Sequence, residues 1–143
     1  MEQISARKFL IATHGHFARG VKSSLDIIIG QTENIFLIEA YVEANKGIES
    51  ELITFLENTS VKEELIIFTD LLGGSITNQV LQATKGRNVH VISGFNLGLL
   101  IEVIMADLET PAVQVIEEAI ANAKEQMVYV NKLMTLNSDD KTN

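Results

Sequence analysis

The chain has 143 residues, 46% of them apolar and 21% charged, a composition that builds one buried core and argues against disorder. Its net charge of −8 disfavours nucleic acid and anionic membrane surfaces as partners. With no cysteine there are no disulfides, thiolate chemistry or cysteine-ligated metals, and no apolar run reaches the roughly 18 residues of a membrane span.

The N-terminal "MEQISARKFLIAT" has too short an apolar run for a signal peptide, so the expected location is the cytoplasm. Within it, "KFLIAT" (8–13) reads as the first strand, apolar on both faces. Phe17, Val21, Leu25 and Ile28 then follow at helical spacing, and Gly30 suits a C-terminal cap. "IFLIEA" (35–40) is a second strand, and Ile48, Leu52, Phe55 and Leu56 mark a second helix. "LIIFTD" (65–70) is a third strand, followed by a short stripe of Ile76, Val80 and Leu81 that stops near Gly86. After the fourth strand, "VHVIS" (89–93), the segment from Leu97 to Met105 is apolar nearly all round and predicts a buried helix. Thr110 and Pro111, the only proline, predict an N-cap and first helical position, ahead of Val113, Ile116, Ile120, Ala123 and Met127. "MVYVNKLMT" (127–135) fits either a continuation of that helix or a fifth strand, and the polar residues 137–143 read as a fraying tail.

Strands starting at 8, 35 and 65 with helices between them have the spacing of a strand–helix repeat. The expected fold is α/β: one domain over 1–143, with a core of about 8–136. It should be an open, mostly parallel sheet of order 2-1-3-4 with helices on both faces. In such a sheet the ligand crevice lies beyond the carboxyl ends of strands 1 and 3.

Strand 1 ends in Thr13, His14 and Gly15, and strand 3 ends in "TDLLGGSITN", with Asp70, Gly73, Gly74 and Ser75. An ionised Asp70 that accepts one ring N–H fixes the tautomer of His14 and leaves its other nitrogen nucleophilic. Gly15, Gly73 and Gly74 let backbone come close to an anion, and Ser75 at a helix start adds donors for a phosphate. The helix after His14 would offer a second such N-terminus. Leu71, Leu72 and Phe95 could form a dry rim for a partner, with Thr13 and Asn96 as further site-lining candidates. Of the other two histidines, His16 is expected to be exposed and His90 structural. Each element also has a bland explanation, as turn, cap or surface residue; their joint placement points to a histidine that receives a phosphoryl group and passes it on.

The segments "IATHGHFARGVKSSLDIIIG", "IIFTDLLGGSITNQV" and "VHVISGFNLGLLIEVIM" resemble the IIA components of the mannose family of bacterial sugar phosphotransferase systems. The likeness spans about residues 8 to 130. It implies that His14 is phosphorylated on Nε2 by the histidine-containing phosphocarrier protein and donates to a IIB component, with Asp70 as the orienting acid. Ser75 and the neighbouring glycines match the phosphate-side loop. It also implies a homodimer that exchanges a C-terminal antiparallel edge strand near 128–134, no metal, no organic cofactor and no insertion into the membrane. Leu72 stands where some members carry tryptophan, and Ile76 where proline often follows the serine. The chain lacks the Ala/Pro-rich linker of fused members, which suggests a free-standing IIA protein or a piece cut to resemble one.

Three alternatives compete. A phosphotransfer subunit of a dihydroxyacetone kinase shares the first motif but tends to carry a shorter second one. An aspartyl-phosphate receiver would need an acidic pair where Thr13 and His14 stand. A non-enzymatic module binding an anion or nucleotide would lack the Gly-x-Gly-x-x-Gly pattern after strand 1.

Overall fold

The computed structural model describes residues 6–43 and 46–141. Four parallel strands, β1 (Ala6–His14), β2 (Ile35–Ala40), β3 (Glu63–Thr69) and β4 (Val89–Ser93), form one sheet in the order β2-β1-β3-β4. This is the order expected from the strand–helix alternation. β2 matches its predicted bounds and so does β4, while β1 is longer at both ends and β3 starts earlier and stops one residue before Asp70.

The two faces of the sheet are covered by different helices, because successive strand side chains point to opposite sides. Phe9 and Ile11 of β1, with Ile66 and Phe68 of β3, pack under α1 (Phe17–Ile28), α4 (Leu97–Ile104) and α5 (Ala112–Glu125). The alternate residues Leu10, Ala12, Leu65 and Ile67 meet Leu52 and Leu56 of α2 (Glu49–Glu57) and Ile76 and Val80 of α3 (Ser75–Ala83). Burial on both faces explains why these strands read as continuous apolar runs.

The α5 stripe is turned from its expected position. Ala112, Val115, Ala119 and Ala123 are the buried residues, Ile116 and Ile120 are half-buried, and Val113 and Met127 face out. Small residues let α5 lie close against α4, so the alanines take the seam and the larger isoleucines flank it. The helix also starts one residue late, with Pro111 as its N-cap in place of Thr110. In α1 only Ala18 and Leu25 are buried, and Phe17 and Ile28 are exposed at the two ends of the predicted stripe.

Residues 127–135 neither continue α5 nor form a fifth strand. The chain breaks at 127–129 and enters α6 (Val130–Lys141), opened by a bond from Leu133 N–H to the Tyr129 carbonyl. A strand needs the edge of a neighbour for its backbone groups, whereas a helix satisfies them internally, and Lys132, Leu133 and Met134 are good helix formers. The expected tail continues α6 as far as Lys141, and residues 142–143 lie outside the described part.

Overfilling the α4–α5 seam tests the observed stripe against the expected one. Ala119→Leu should lower unfolding free energy by about 1–3 kcal/mol, while Val113→Ala should stay within about 0.5 kcal/mol of the parent, both read from urea denaturation midpoints.

Candidate active site

β1 and β3 are adjacent and parallel, with Ala12 opposite Thr69, so both chains leave the sheet at the same edge. The next polar residues, His14 and Asp70, meet there. Asp70 Oδ2 accepts the His14 backbone N–H at 2.8 Å and lies 2.8 Å from its Nδ1. A carboxylate only accepts, so Nδ1 carries the proton and Nε2 keeps its lone pair. The Asp70 side chain is 10% exposed and that of His14 42%, so the orienting acid is sheltered and the reactive edge of the ring is open. Burial pushes the Asp70 carboxyl up, but the backbone and ring donors of His14, with the attraction of its charge, outweigh it and hold Asp70 below its ordinary value.

The loop from Asp70 to Ser75 is tied down from inside. The Thr77 hydroxyl lies 2.5 Å from the Leu71 carbonyl and 2.8 Å from Thr69 Oγ1, so the third strand and third helix grip the turn between them. Gly73 takes a φ of +77°, which a side chain would resist, and Gly15 turns the chain after His14 with a φ of +54°. Gly74 has ordinary torsions and lies beside the imidazole: a Cβ there would meet His14 Cε1 at 3.8 Å, an ordinary contact. Ser75 opens α3, and the first internal helical bond is Asn78 N–H to the Gly74 carbonyl. The amides of residues 75–77 therefore have no acceptor within the helix and carry its positive end, beside the imidazole.

The second expected anion site is largely taken. At the start of α1, Ala18 N–H donates to Thr13 Oγ1 and Arg19 N–H donates to Glu39 Oε2. Thr13 is buried as a helix cap, and Glu39 also takes the Arg19 guanidinium and lies 3.1 Å from Nδ1 of the exposed His16. Burial raises the Glu39 carboxyl, but hydrogen bonds from His16 and Arg19 bring it below its ordinary value. Asn96 is also committed elsewhere: it caps α4 by accepting Leu99 N–H and donates to the Ala123 carbonyl. His90 lies within β4 with Nε2 3.6 Å from Glu64, away from the His14 edge.

Leu71 and Leu72 project as expected, Leu72 with 85% exposure, and Phe95 stacks on Phe17 at 5.4 Å. No group of three or more metal-ligating side chains occurs among the described residues. His14 stands on an open shelf. A groove of about 540 Å³ lies elsewhere, along β2 between Lys8, Phe36 and Phe55.

Tyr41 is the site neighbour that the sequence did not signal. It follows β2, and it is the one non-glycine among the described residues with positive φ, at +61°, a conformation that costs on the order of 1 kcal/mol or more. Its ring centroid lies 5.7 Å from that of His14, and its hydroxyl 2.9 Å from Ser75 Oγ. β2 is the other neighbour of β1 and ends at the same edge, which was the available clue.

The family model for the PTS system fructose IIA component matches residues 8–124. The chain belongs to this family. A solved structure from Klebsiella pneumoniae, named as a phosphoenolpyruvate-dependent sugar phosphotransferase system permease, is 31% identical with a TM-score of 0.84, over 94% of this chain and 98% of that one. The IIA protein associated with the fucose utilization operon of Streptococcus pneumoniae is 26% identical with a TM-score of 0.73, over 94% and 99%. The phosphotransferase component EIIA of Streptococcus agalactiae is 25% identical with a TM-score of 0.74, over 88% and 98%.

In this IIA chain the Asp70 carboxylate stabilises the fold while ionised. Because its folded value lies below the unfolded 3.8, that contribution is present above about pH 4 and is lost as pH falls through the lowered value. Asp70→Asn should cost about 1–2 kcal/mol at pH 7, and the gap to the parent should narrow below pH 4, measured by urea unfolding across pH.

Proposed function

We propose that the chain is a phosphocarrier of the phosphoenolpyruvate-dependent sugar phosphotransferase system, with His14 as the acceptor. The observation that carries this is the pair of hydrogen bonds that Asp70 Oδ2 accepts from the backbone and ring of His14, which leaves Nε2 unprotonated beside the open N-terminus of α3. In the forward step the Nε2 lone pair forms an N–P bond while the N–P bond of the phosphorylated donor breaks and returns its electron pair to the donor ring. Positive charge develops on the His14 ring and is balanced by Asp70. The α3 amides and Ser75 face the phosphoryl oxygens. The reverse geometry serves donation.

The openness of the site favours protein partners over a small substrate: the histidine-containing phosphocarrier protein as donor and a IIB component as acceptor. Leu71 and Leu72 supply the apolar surface for docking. We place the chain's action in the cytoplasm against the membrane components; among the described residues no helix is long and apolar enough to cross a membrane. A homodimer is part of the same proposal. Membership of the family favours this reading over a receiver or a nucleotide module.

Incubation with phosphoenolpyruvate and the two general phosphotransferase proteins should give an acid-labile adduct on the parent and none on His14→Ala. Label persisting on that variant would end the proposal. Asp70→Asn should still be labelled, about 10–100-fold more slowly, because the ring loses the charge that orients it.

A further inference from the structure

The hydroxyl of Ser75 belongs to a chain of hydrogen bonds whose direction can be worked out from one end. Ile48 N–H lies 3.2 Å from Gln79 Oε1. A backbone N–H only donates, so the Gln79 atom facing it must be the carbonyl oxygen, and the amide NH2 points the other way. There Nε2 lies 3.4 Å from Tyr41 Oη, to which it donates. The phenol thus has an acceptor site filled and its own proton still to place, and Ser75 Oγ is 2.9 Å away. If Tyr41 donates to Ser75, the serine's single proton is left for an acceptor outside the chain. In either direction one hydroxyl proton is left over, and the phenol, much the more acidic of the two hydroxyls, is the better donor to its neighbour.

The backbone holds Tyr41 in place. Tyr41 sits at a φ of +61° between two bonds that pin it, Gly15 N–H to the Ala40 carbonyl and Tyr41 N–H to the Lys46 carbonyl, both 2.8 Å. That strained turn sets the phenol ring 5.7 Å from the imidazole and tilted by 31°. A tyrosine held against its torsional preference, with its hydroxyl on a site serine, needs a reason beyond packing, since its ring is only part covered.

We propose that Tyr41 is a positioning residue: fixed by Gln79, it acts through Ser75 and turns that hydroxyl into a dedicated donor for the phosphoryl group carried by His14. The inference rests on His14 being the acceptor. It adds a polarity to the site, running from the Ile48 amide through Gln79, Tyr41 and Ser75 to the anion.

Two variants of the full chain test it. Tyr41→Phe keeps the ring and removes the relay, and labelling of His14 should slow about fivefold, the worth of one hydrogen bond. Gln79→Glu keeps an acceptor for Ile48 N–H but sets a second acceptor against Tyr41, drawing the phenol proton off Ser75, and should slow labelling at least as much. In a Ser75→Ala background neither change should slow it further, an outcome that a merely structural role would not produce. Parent rates in both variants, or equal slowing with and without Ser75, would overturn the relay. If the parent is not labelled at all, the phosphocarrier proposal fails separately, and titration with inorganic phosphate decides the relay. The Ser75 amide signal should then shift with about fivefold weaker affinity in Tyr41→Phe; the same affinity, or no shift in the parent, overturns it.

Discussion

A single oxygen, Asp70 Oδ2, receives both the main-chain N–H and the ring of His14. Two bonds to one atom do different things: the amide bond locks the end of β1 to the residue after β3, and the ring bond selects the tautomer. Neither is possible unless β1 and β3 are neighbours and leave the sheet at the same edge, which the order β2-β1-β3-β4 provides. The apolar core beneath serves this constraint, since Phe9, Ile11, Ile66 and Phe68 on one face and Leu10 and Ile67 on the other leave the two strands one register. Shelter matters as well. A hydrogen bond to a nearly buried carboxylate is stronger than the same bond in water, so the orientation of the ring survives in a site open on its outer side.

Two helices start beside this dyad, and the fold treats them in opposite ways. Two of the first amides of α1, those of Ala18 and Arg19, are taken by Thr13 and Glu39, while those of α3 carry no internal acceptor. Had both been open, the histidine would have stood between two competing anion sites. Filling much of one gives the site a side: Glu39, with His16 and Arg19 gathered on it, makes the β2 flank a settled network and leaves the open amides on the β3 flank.

The strands and the dyad could be read from the sequence because both depend on short, local patterns. Apolar runs ending in His14 and Asp70 need only the topology rule to bring them together. Helix faces were less legible: in α5 the expected stripe followed mainly the large residues and caught Ala123, whereas close packing on α4 also selected Ala112, Val115 and Ala119. The segment 127–135 had no local bias strong enough to decide it, and backbone satisfaction within one chain turned residues from Val130 into a helix. Tyr41 was invisible for a different reason. Its place in the site depends on a positive φ that nothing in "IEAYVEAN" announces, since a tyrosine gives no sign of it and no glycine stands there.

In the proposed role, a chain with a net charge of −8 must still hold a dianionic group next to a carboxylate. Long-range charge cannot help, because at physiological salt it is screened beyond about 8 Å. What remains is local: helix amides and a hydroxyl on the phosphoryl oxygens, and a ring whose developing positive charge lies between the phosphoryl group and Asp70. In the proposed relay that interposed charge has a second consequence. Asp70 balances the cationic ring, not the phosphate, so its help grows as the N–P bond forms and fades as it breaks. With the N–P bond assisted only by dipoles and a few donors, the proposed phosphoryl group is kept without being trapped, which is what a site that must both receive and release requires.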